Sequence, residues 1–369
     1  MNVSEPSAAP APAATTWPPV SVIMPILNEE RHLAEAVQGV LAQDYPGELE
    51  LILAIGPSKD RTREIADGLA AADPRVRSVP NPTGRTPAAL NAALGEARHA
   101  IIVRVDGHGE LAPGYIATAV RLLEETGAAN VGGVMRAEGI TAFEQTVARA
   151  MTSKLGVGNA RFHTGGEGGP SDTVYLGVFR RDVLNQLDGY DEHFTRAQDW
   201  ELNFRLRQAG HLIWFDPKLS VTYRPRPNIK ALSKQYREYG RWRRVMMRTH
   251  QGTANFRYLA PPGALLAVAT GTVVGLAGVT TGPLVGAVGF LAPAGYVVAL
   301  TAGALRESRG LPAGVRARLP LVLATMHGSW AFGFLTSSAK LARPSAKTGA
   351  KAKLDAKVNV NANANPDTE

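Results

Sequence analysis

From about residue 20 to residue 210, short apolar runs alternate with amphipathic ones. Val20 to Met24, Leu49 to Ile55 and Ala100 to Val105 are the clearest strand candidates. Between them, Glu29 to Gln43 places Leu33, Ala36, Val37, Val40 and Leu41 on one face at helical spacing, and Pro87 to Ala97 is a second helix former. Gln198 to Ala209 reads as a further helix after the turn-like Asp188-Gly189-Tyr190-Asp191. Strand–helix alternation of this kind predicts an α/β fold with a mostly parallel sheet covered on both faces. Ligands of such sheets bind beyond the carboxyl ends of the strands, where Asn28, Gly56 and Asp106 would lie.

The pattern changes at Tyr258. From there to Leu305 the chain has no Asp, Glu, Lys, Arg or His, enough for two membrane spans near 262–281 and 284–305 with Gly282-Pro283 as the turn. A third apolar segment, 319–336, is interrupted by His327-Gly328-Ser329 and reads as spanning or re-entrant. Arg241, Arg243, Arg244 and Arg248 precede the charge-free stretch and Arg306, Arg309, Arg316 and Arg318 follow it, which is positive-inside charge beside spans. A multi-pass protein of the cytoplasmic membrane is expected, its first half facing the cytosol. The segments are then a tail at 1–18, an α/β domain at 19–228, a basic amphipathic interfacial helix at 229–257, a membrane region at 258–338 and a basic tail at 339–369. Both tails are low in complexity and are expected to be disordered, and the first lacks the basic start and apolar core of a secretory signal.

Composition narrows the chemistry. The net charge of +8 is not gathered into a module with interleaved aromatics, so nucleic acid is not an expected partner. Without cysteine there is neither a disulfide framework nor a thiolate metal site, so any metal must use carboxylate or imidazole.

Several residues at predicted strand ends and helix starts carry candidate chemistry. Asp106-Gly107-His108 sets two potential metal ligands around a glycine that permits a turn, and a carboxylate–imidazole pair suits Mn²⁺ better than Mg²⁺. Ser58 and Asp60 follow a strand, where capping the next helix accounts for them as well as binding does. Asp199 and Glu29 open helices, a position that favours acids whether or not they react. Arg85 is either a phosphate ligand or a solvated loop arginine. The run Lys234 to Trp242 reads as an amphipathic helix with Tyr236, Tyr239 and Trp242 at headgroup depth. Ser153 to Asp172 is glycine-rich, holds Arg161, His163 and Glu167, and is too long for a bare connector, which makes it the candidate acceptor loop.

Taken in order, Pro25-Ile26-Leu27-Asn28-Glu29, Ser58-Lys59-Asp60, Asp106-Gly107-His108, Gln198-Asp199-Trp200-Glu201 and Gln235 through Arg241-Trp242 resemble the motifs of the family 2 glycosyltransferases. These are inverting enzymes with a GT-A nucleotide-diphospho-sugar domain. The resemblance covers about Val20 to Arg248 and is strongest to the succinoglycan-type exopolysaccharide subgroup. It implies a nucleotide-sugar donor bound by Asn28, Glu29, Ser58, Asp60, Arg85 and Asp106, and a divalent ion on Asp106 and His108, Mn²⁺ favoured over Mg²⁺. Asp199 would be the general base. His163, Glu201, Gln235, Arg241 and Trp242 would face the acceptor or the diphosphate. His108 and Ile55 depart from the family pattern, standing where a second Asp and a base-reading Asp are usual. The implied reaction moves a sugar onto a polyprenyl-diphosphate-linked glycan among membrane lipids. The alternatives are a polyprenyl-monophosphate glycosyltransferase and a non-catalytic, membrane-anchored sugar-nucleotide scaffold. Donor sugar, linkage and oligomeric state are not legible in the sequence.

Overall fold

A computed structural model describes residues 17–342; the predicted tails lie outside the described residues except for 17–18 and 339–342. Trp17 packs edge-on against Tyr45 with ring centroids 5.6 Å apart, just ahead of the first strand.

Strand–helix units build the first half of the sheet: β1 (Val20–Ile26), α1 (Leu33–Leu41), β2 (Leu49–Ile55), α2 (Thr62–Ala72), β3 (Val76–Pro80), α3 (Thr86–Glu96) and β4 (Ile101–Arg104). These four strands are mutually parallel. The second half follows as β5 (Glu110–Leu111), α4 (Tyr115–Thr126), β6 (Asn130–Ala137), α5 (Ala142–Met151), α6 (Lys154–Val157), α7 (Arg161–Thr164), β7 (Gly169–Pro170), β8 (Tyr175–Arg180), α8 (Arg181–Gln186), α9 (Gln198–Gln208) and β9 (Ile213–Tyr223). In the nine-stranded sheet the order is β3-β2-β1-β4-β8-β6-β9-β5, with β7 also on β9. Here the sheet is mixed, because β8 runs antiparallel between β4 and β6 while β6 and β9 are parallel.

Side chains alternate across this sheet with period two. Val22, Met24, Leu51, Leu53 and Val103 face α1 and α4; Ile23, Ile52, Ala54 and Ile102 face α3 and α9 on the other side. Each face is therefore buried, as continuous apolar strands require. Helix α1 begins at Leu33 rather than Glu29. Residues 29–32 form a turn instead, with the amides of His32 and Leu33 both donating to the Glu29 carbonyl at 3.0 and 2.9 Å. The Ser153 to Asp172 segment is partly ordered as α6, α7 and β7.

Among the described residues four α-helices follow the sheet, α10 (Ile229–Thr249), α11 (Phe256–Thr281), α12 (Pro283–Glu307) and α13 (Ala313–Leu335), and then a 3-10 turn at Ala339–Leu341. Among the described residues, α11 and α12 are the two helices long and apolar enough to cross a membrane. At 1.5 Å per residue each is somewhat under 40 Å long, against a hydrocarbon core of about 30 Å. They expose Leu266, Val273, Leu276, Leu284 and Leu291 on their outer sides.

The third apolar segment is one continuous helix through His327-Gly328-Ser329. It lies against α5 and α10 in a shared core containing Val147, Met151, Leu232, Tyr236, Leu323 and Met326. The His327 imidazole Nε2 is 2.8 Å from the Leu155 carbonyl, and Ser329 and Ser233 share a 2.8 Å hydroxyl hydrogen bond. His327 and Ser329 thus make contacts to the α/β domain and to α10. Two of the three rings expected at headgroup depth, Tyr236 and Trp242, are buried in protein instead, because α13 and the loop before α9 cover that face of α10.

Backbone contact fixes α10 on α13. A Cβ on Gly240 would lie 2.0 Å from the Trp330 carbonyl oxygen, and one on Gly333 would lie 1.9 Å from that of Arg237. Gly240→Ala must push the helices apart and is expected to lose about 1–3 kcal/mol, read as a lower Tm of the detergent-solubilised protein. Gly39→Ala is the control, since a Cβ there meets nothing within 4 Å, and its Tm should not fall.

Candidate active site

The loops after β1 and β2 are laced together. Asn28 adopts a left-handed conformation, φ 57°, which asparagine tolerates better than most residues. Its amide donates to Ser58 Oγ at 3.1 Å, and its Oδ1 accepts from the Lys59 amide at 2.8 Å. Asp60 Oδ1 accepts from the Thr62 hydroxyl at 2.6 Å and from its amide at 3.1 Å, and Asp60 Oδ2 takes the Glu30 amide at 3.3 Å. The Thr62 hydroxyl bond holds the Asp60 carboxyl below its ordinary range. Asn28, Ser58 and Asp60 therefore spend their side chains on the scaffold that aims Glu29. Ile55 is buried at the end of β2. Arg85 precedes α3 with its side chain in solvent.

Glu29 reaches the turn after β4, where its Oε1 is 2.9 Å from His108 Nδ1. That hydrogen bond is the main reason the imidazole's pKa lies above its ordinary value, and burial only partly opposes it. The pair leaves His108 Nε2 as the nitrogen free for a ligand.

One residue organises the centre. Arg104, the last residue of β4, is only 2% exposed. Its Nη2 is 3.1 Å from Asp106 Oδ1, and its Nη1 contacts Asp199 Oδ1. Its guanidinium carbon lies 5.8 Å from the Tyr190 ring centroid. Burial works against the guanidinium charge, but Asp106 and Tyr190 more than offset it, and the pKa is raised. Both carboxylates remain about a quarter exposed at 24% and 26%, so each presents an edge to solvent above a buried shared cation. Asp199 enters this arrangement through a sharp turn at Ala197, φ 60°, which starts α9.

The remaining residues separate into two groups. Gln235 joins the site, its amide nitrogen donating to the hydroxyls of Tyr223 and Tyr239 at 2.7 and 2.9 Å. Tyr175 is close enough to Asp106 and Tyr223 to feel their charges, although burial is the larger reason its pKa is raised. Glu201 turns inward: Arg205 Nε and Nη2 each donate to it at 2.8 Å, and His250 Nε2 lies 3.3 Å away. Burial pushes the Glu201 carboxyl up, but the bonds from His250 and Arg205 outweigh it and the pKa is lowered. Trp242 packs with Phe194, Val245 and Met246, and Arg241 pairs with Glu238 at 3.3 Å. His163 packs tilted against Phe162 with ring centroids 4.3 Å apart, and burial pushes its imidazole pKa down to about 3, keeping it neutral.

Among the described residues no three His, Asp or Glu side chains gather into a metal cage. Asp106 and His108 still fit a divalent ion of the kind that takes one or two protein ligands and completes its shell with phosphate oxygens and water.

A mixed, mostly parallel α/β sheet carrying acids at its carboxyl edge has the architecture of the GT-A nucleotide-sugar transferases. It is similar in fold to the mannosyltransferase PcManGT of Pyrobaculum calidifontis, solved with GDP-Man and Mn²⁺, at a TM-score of 0.54 and 21% identity, covering 86% of this chain and 88% of that one. The family profile of glycosyl transferase family 2 matches residues 21–188. The chain is 33% identical over 317 residues to the succinoglycan biosynthesis protein ExoA of Rhizobium meliloti, covering 85% of this chain and 93% of that protein. A dolichyl N-acetyl-α-D-glucosaminyl phosphate 3-β-D-2,3-diacetamido-2,3-dideoxy-β-D-glucuronosyltransferase of Methanococcus voltae is 26% identical, covering 70% and 82%. The chain belongs to glycosyltransferase family 2, and the protein is a glycosyltransferase.

Arg104, Tyr175 and Tyr190 are not among the site residues expected from the sequence. For Arg104 a signal existed, since a charge inside an otherwise apolar strand needs a buried partner. Arg104→Met strands two carboxylates on an apolar floor and is expected to cost about 3 kcal/mol or more, measured by denaturant unfolding. For Glu201 the sign follows from its lowered pKa. Its contribution is complete above the ordinary carboxylate value of about 4.3 and fades as pH falls through the lower folded value. Glu201→Gln should therefore be about 3 kcal/mol less stable at pH 7, with the gap to wild type closing as the pH falls below 4.3.

Proposed function

We propose that the protein transfers a sugar from a nucleoside-diphosphate donor to a lipid-linked glycan at the cytosolic face of the cytoplasmic membrane, in cell-surface or exopolysaccharide synthesis. The observation that carries this reading is the sharing of Arg104 by Asp106 and Asp199, which sets a donor-side and an acceptor-side carboxylate next to each other. In support, the helices α11 and α12 are long and apolar enough to cross a membrane and pack against α13, and the names of two relatives concern succinoglycan and a dolichyl-phosphate-linked sugar.

Donor binding falls to the scaffold set by Asn28, Ser58 and Asp60, with Glu29 and Asp106 facing the diphosphate and Arg85 within loop reach of it. Asp106 and His108 are the residues that hold a divalent ion, Mn²⁺ in preference to Mg²⁺ because of the imidazole. When bound, such an ion neutralises charge on the departing diphosphate. Asp199 takes the proton of the acceptor hydroxyl as that oxygen attacks the anomeric carbon from the face opposite the leaving group, and the anomeric configuration inverts. A base in this role contributes about 10²–10⁴-fold. Arg104 holds the Asp199 carboxylate for that task, Gln235 orders Tyr223 and Tyr239 near Tyr175, and Glu201 and Trp242 anchor α9 and α10. His163 and Arg241 belong on the acceptor side. The spans keep a membrane-bound acceptor near the site, raising its effective concentration.

The test combines calorimetry and turnover. Titration with UDP, GDP and dTDP should show binding of one nucleotide that strengthens with Mn²⁺ and is lost in Asp106→Ala. Asp199→Asn should bind that nucleotide unchanged while transfer to a lipid-linked acceptor falls at least 100-fold, in line with loss of a base. Retained turnover in Asp199→Asn overturns its assignment, and a product mass showing sugar on a polyprenyl monophosphate replaces the acceptor class.

A further inference from the structure

Arg243, two residues beyond the arginine singled out by the motif, sits where three parts of the molecule meet. Its guanidinium carbon is 4.4 Å from the ring centroid of Trp200, the neighbour of Asp199, and 4.2 Å from that of Tyr258 in the first turn of α11. Arg257 lies beside it, 4.7 Å from the same Tyr258 ring, and donates through Nη2 to the Tyr258 hydroxyl. His163 on α7 is near enough for the Arg257 charge to bear on it.

The cluster is short of negative charge. Nε and Nη1 of Arg243, Nε of Arg257 and Nδ1 of His163 are shut off from solvent and have no hydrogen-bond partner among the described residues. Asp172 acts on Arg243 through its charge, with no hydrogen bond between them among the described residues. The ring faces of Trp200 and Tyr258 attract the cation but accept no conventional hydrogen bond from its N–H groups. Adjacent guanidiniums with unspent donors repel each other and pay for desolvation unless an anion joins them. Phosphate oxygens match guanidinium donors two at a time. Nearby arginines are already occupied, Arg161 by the carbonyls of Pro170 and Glu167 and Arg241 by Glu238.

We propose that Arg243 and Arg257, with His163, form the subsite for the diphosphate that joins the acceptor glycan to its lipid. Its place suits that ligand: the first turn of α11 is where a chain in the membrane brings its headgroup, and Trp200 adjoins the base. The inference rests on the lipid-linked acceptor reading above.

The experiment uses the full chain in neutral-lipid nanodiscs with geranylgeranyl diphosphate as the probe. Arg243→Gln and Arg257→Gln should each weaken probe binding at least tenfold and raise the KM for a lipid-linked acceptor, with affinity for the donor nucleotide unchanged. Inorganic pyrophosphate should compete with the probe in wild type. Arg243→Lys, which keeps the charge and loses the fork, should fall between. Unchanged probe affinity in both glutamine variants that still bind nucleotide overturns the subsite and leaves Arg243 as a tether between α9 and α11. Displacement of the probe by phosphatidylglycerol in the discs, with the same dependence on Arg243, also overturns it in favour of a lipid-headgroup site. If wild type itself transfers no sugar to any lipid-linked acceptor, the acceptor reading fails instead, a result separable from the behaviour of the variants.

Discussion

A single buried cation sets the geometry of this enzyme's centre. Burying a guanidinium costs several kcal/mol unless carboxylates surround it with good geometry, and Arg104 meets that demand by gripping Asp106 at 3.1 Å and Asp199 from the opposite end of the domain. The two acids would otherwise repel. Held on one guanidinium fork they stand side by side, each with an edge open to solvent. The mixed half of the sheet serves the same end, because β8 inserted beside β4 brings Tyr175 to the Asp106 side and the chain after α8 brings Tyr190 over Arg104.

A second layer ties this centre to the helices that follow. Arg205 spans from Glu201 to the carbonyls of Leu187 and Gly189, and His250 at the end of α10 closes on the same Glu201. Gly240 and Gly333 let α10 and α13 touch backbone to backbone. The apolar hairpin of α11 and α12 is thus attached to the helix that carries Asp199 through packed, hydrogen-bonded contacts.

Much of this was readable in the chain. The parallel β1 to β4 half, the helices between its strands and the two membrane-length helices follow from period and length alone, since both sheet faces are buried and the hairpin carries no charge from Tyr258 to Leu305. The motif positions also lead to the correct family. Element edges shifted where side chains compete with the backbone: α1 starts late because residues 29–32 are turned back by hydrogen bonds to the β2 loop. His327-Gly328-Ser329 reads as an interruption in one dimension, yet Leu155 and Ser233 satisfy its polar atoms in three.

The sequence by itself determined the strand–helix order, the carboxyl-edge location of the acids and the family, because periodicity and local motifs are properties of neighbouring residues. Which acid faces the site was decided by tertiary structure. Asp199 and Glu201 are two positions apart on one helix, and only the placement of Arg104 on one side and of Arg205 with His250 on the other leaves the first open and the second enclosed. The same holds for Arg241 and Arg243, where one turns to Glu238 and the other to Trp200 and Tyr258. Charges acquire their roles from partners far along the chain, and those partners meet only when the sheet and the four terminal helices have packed.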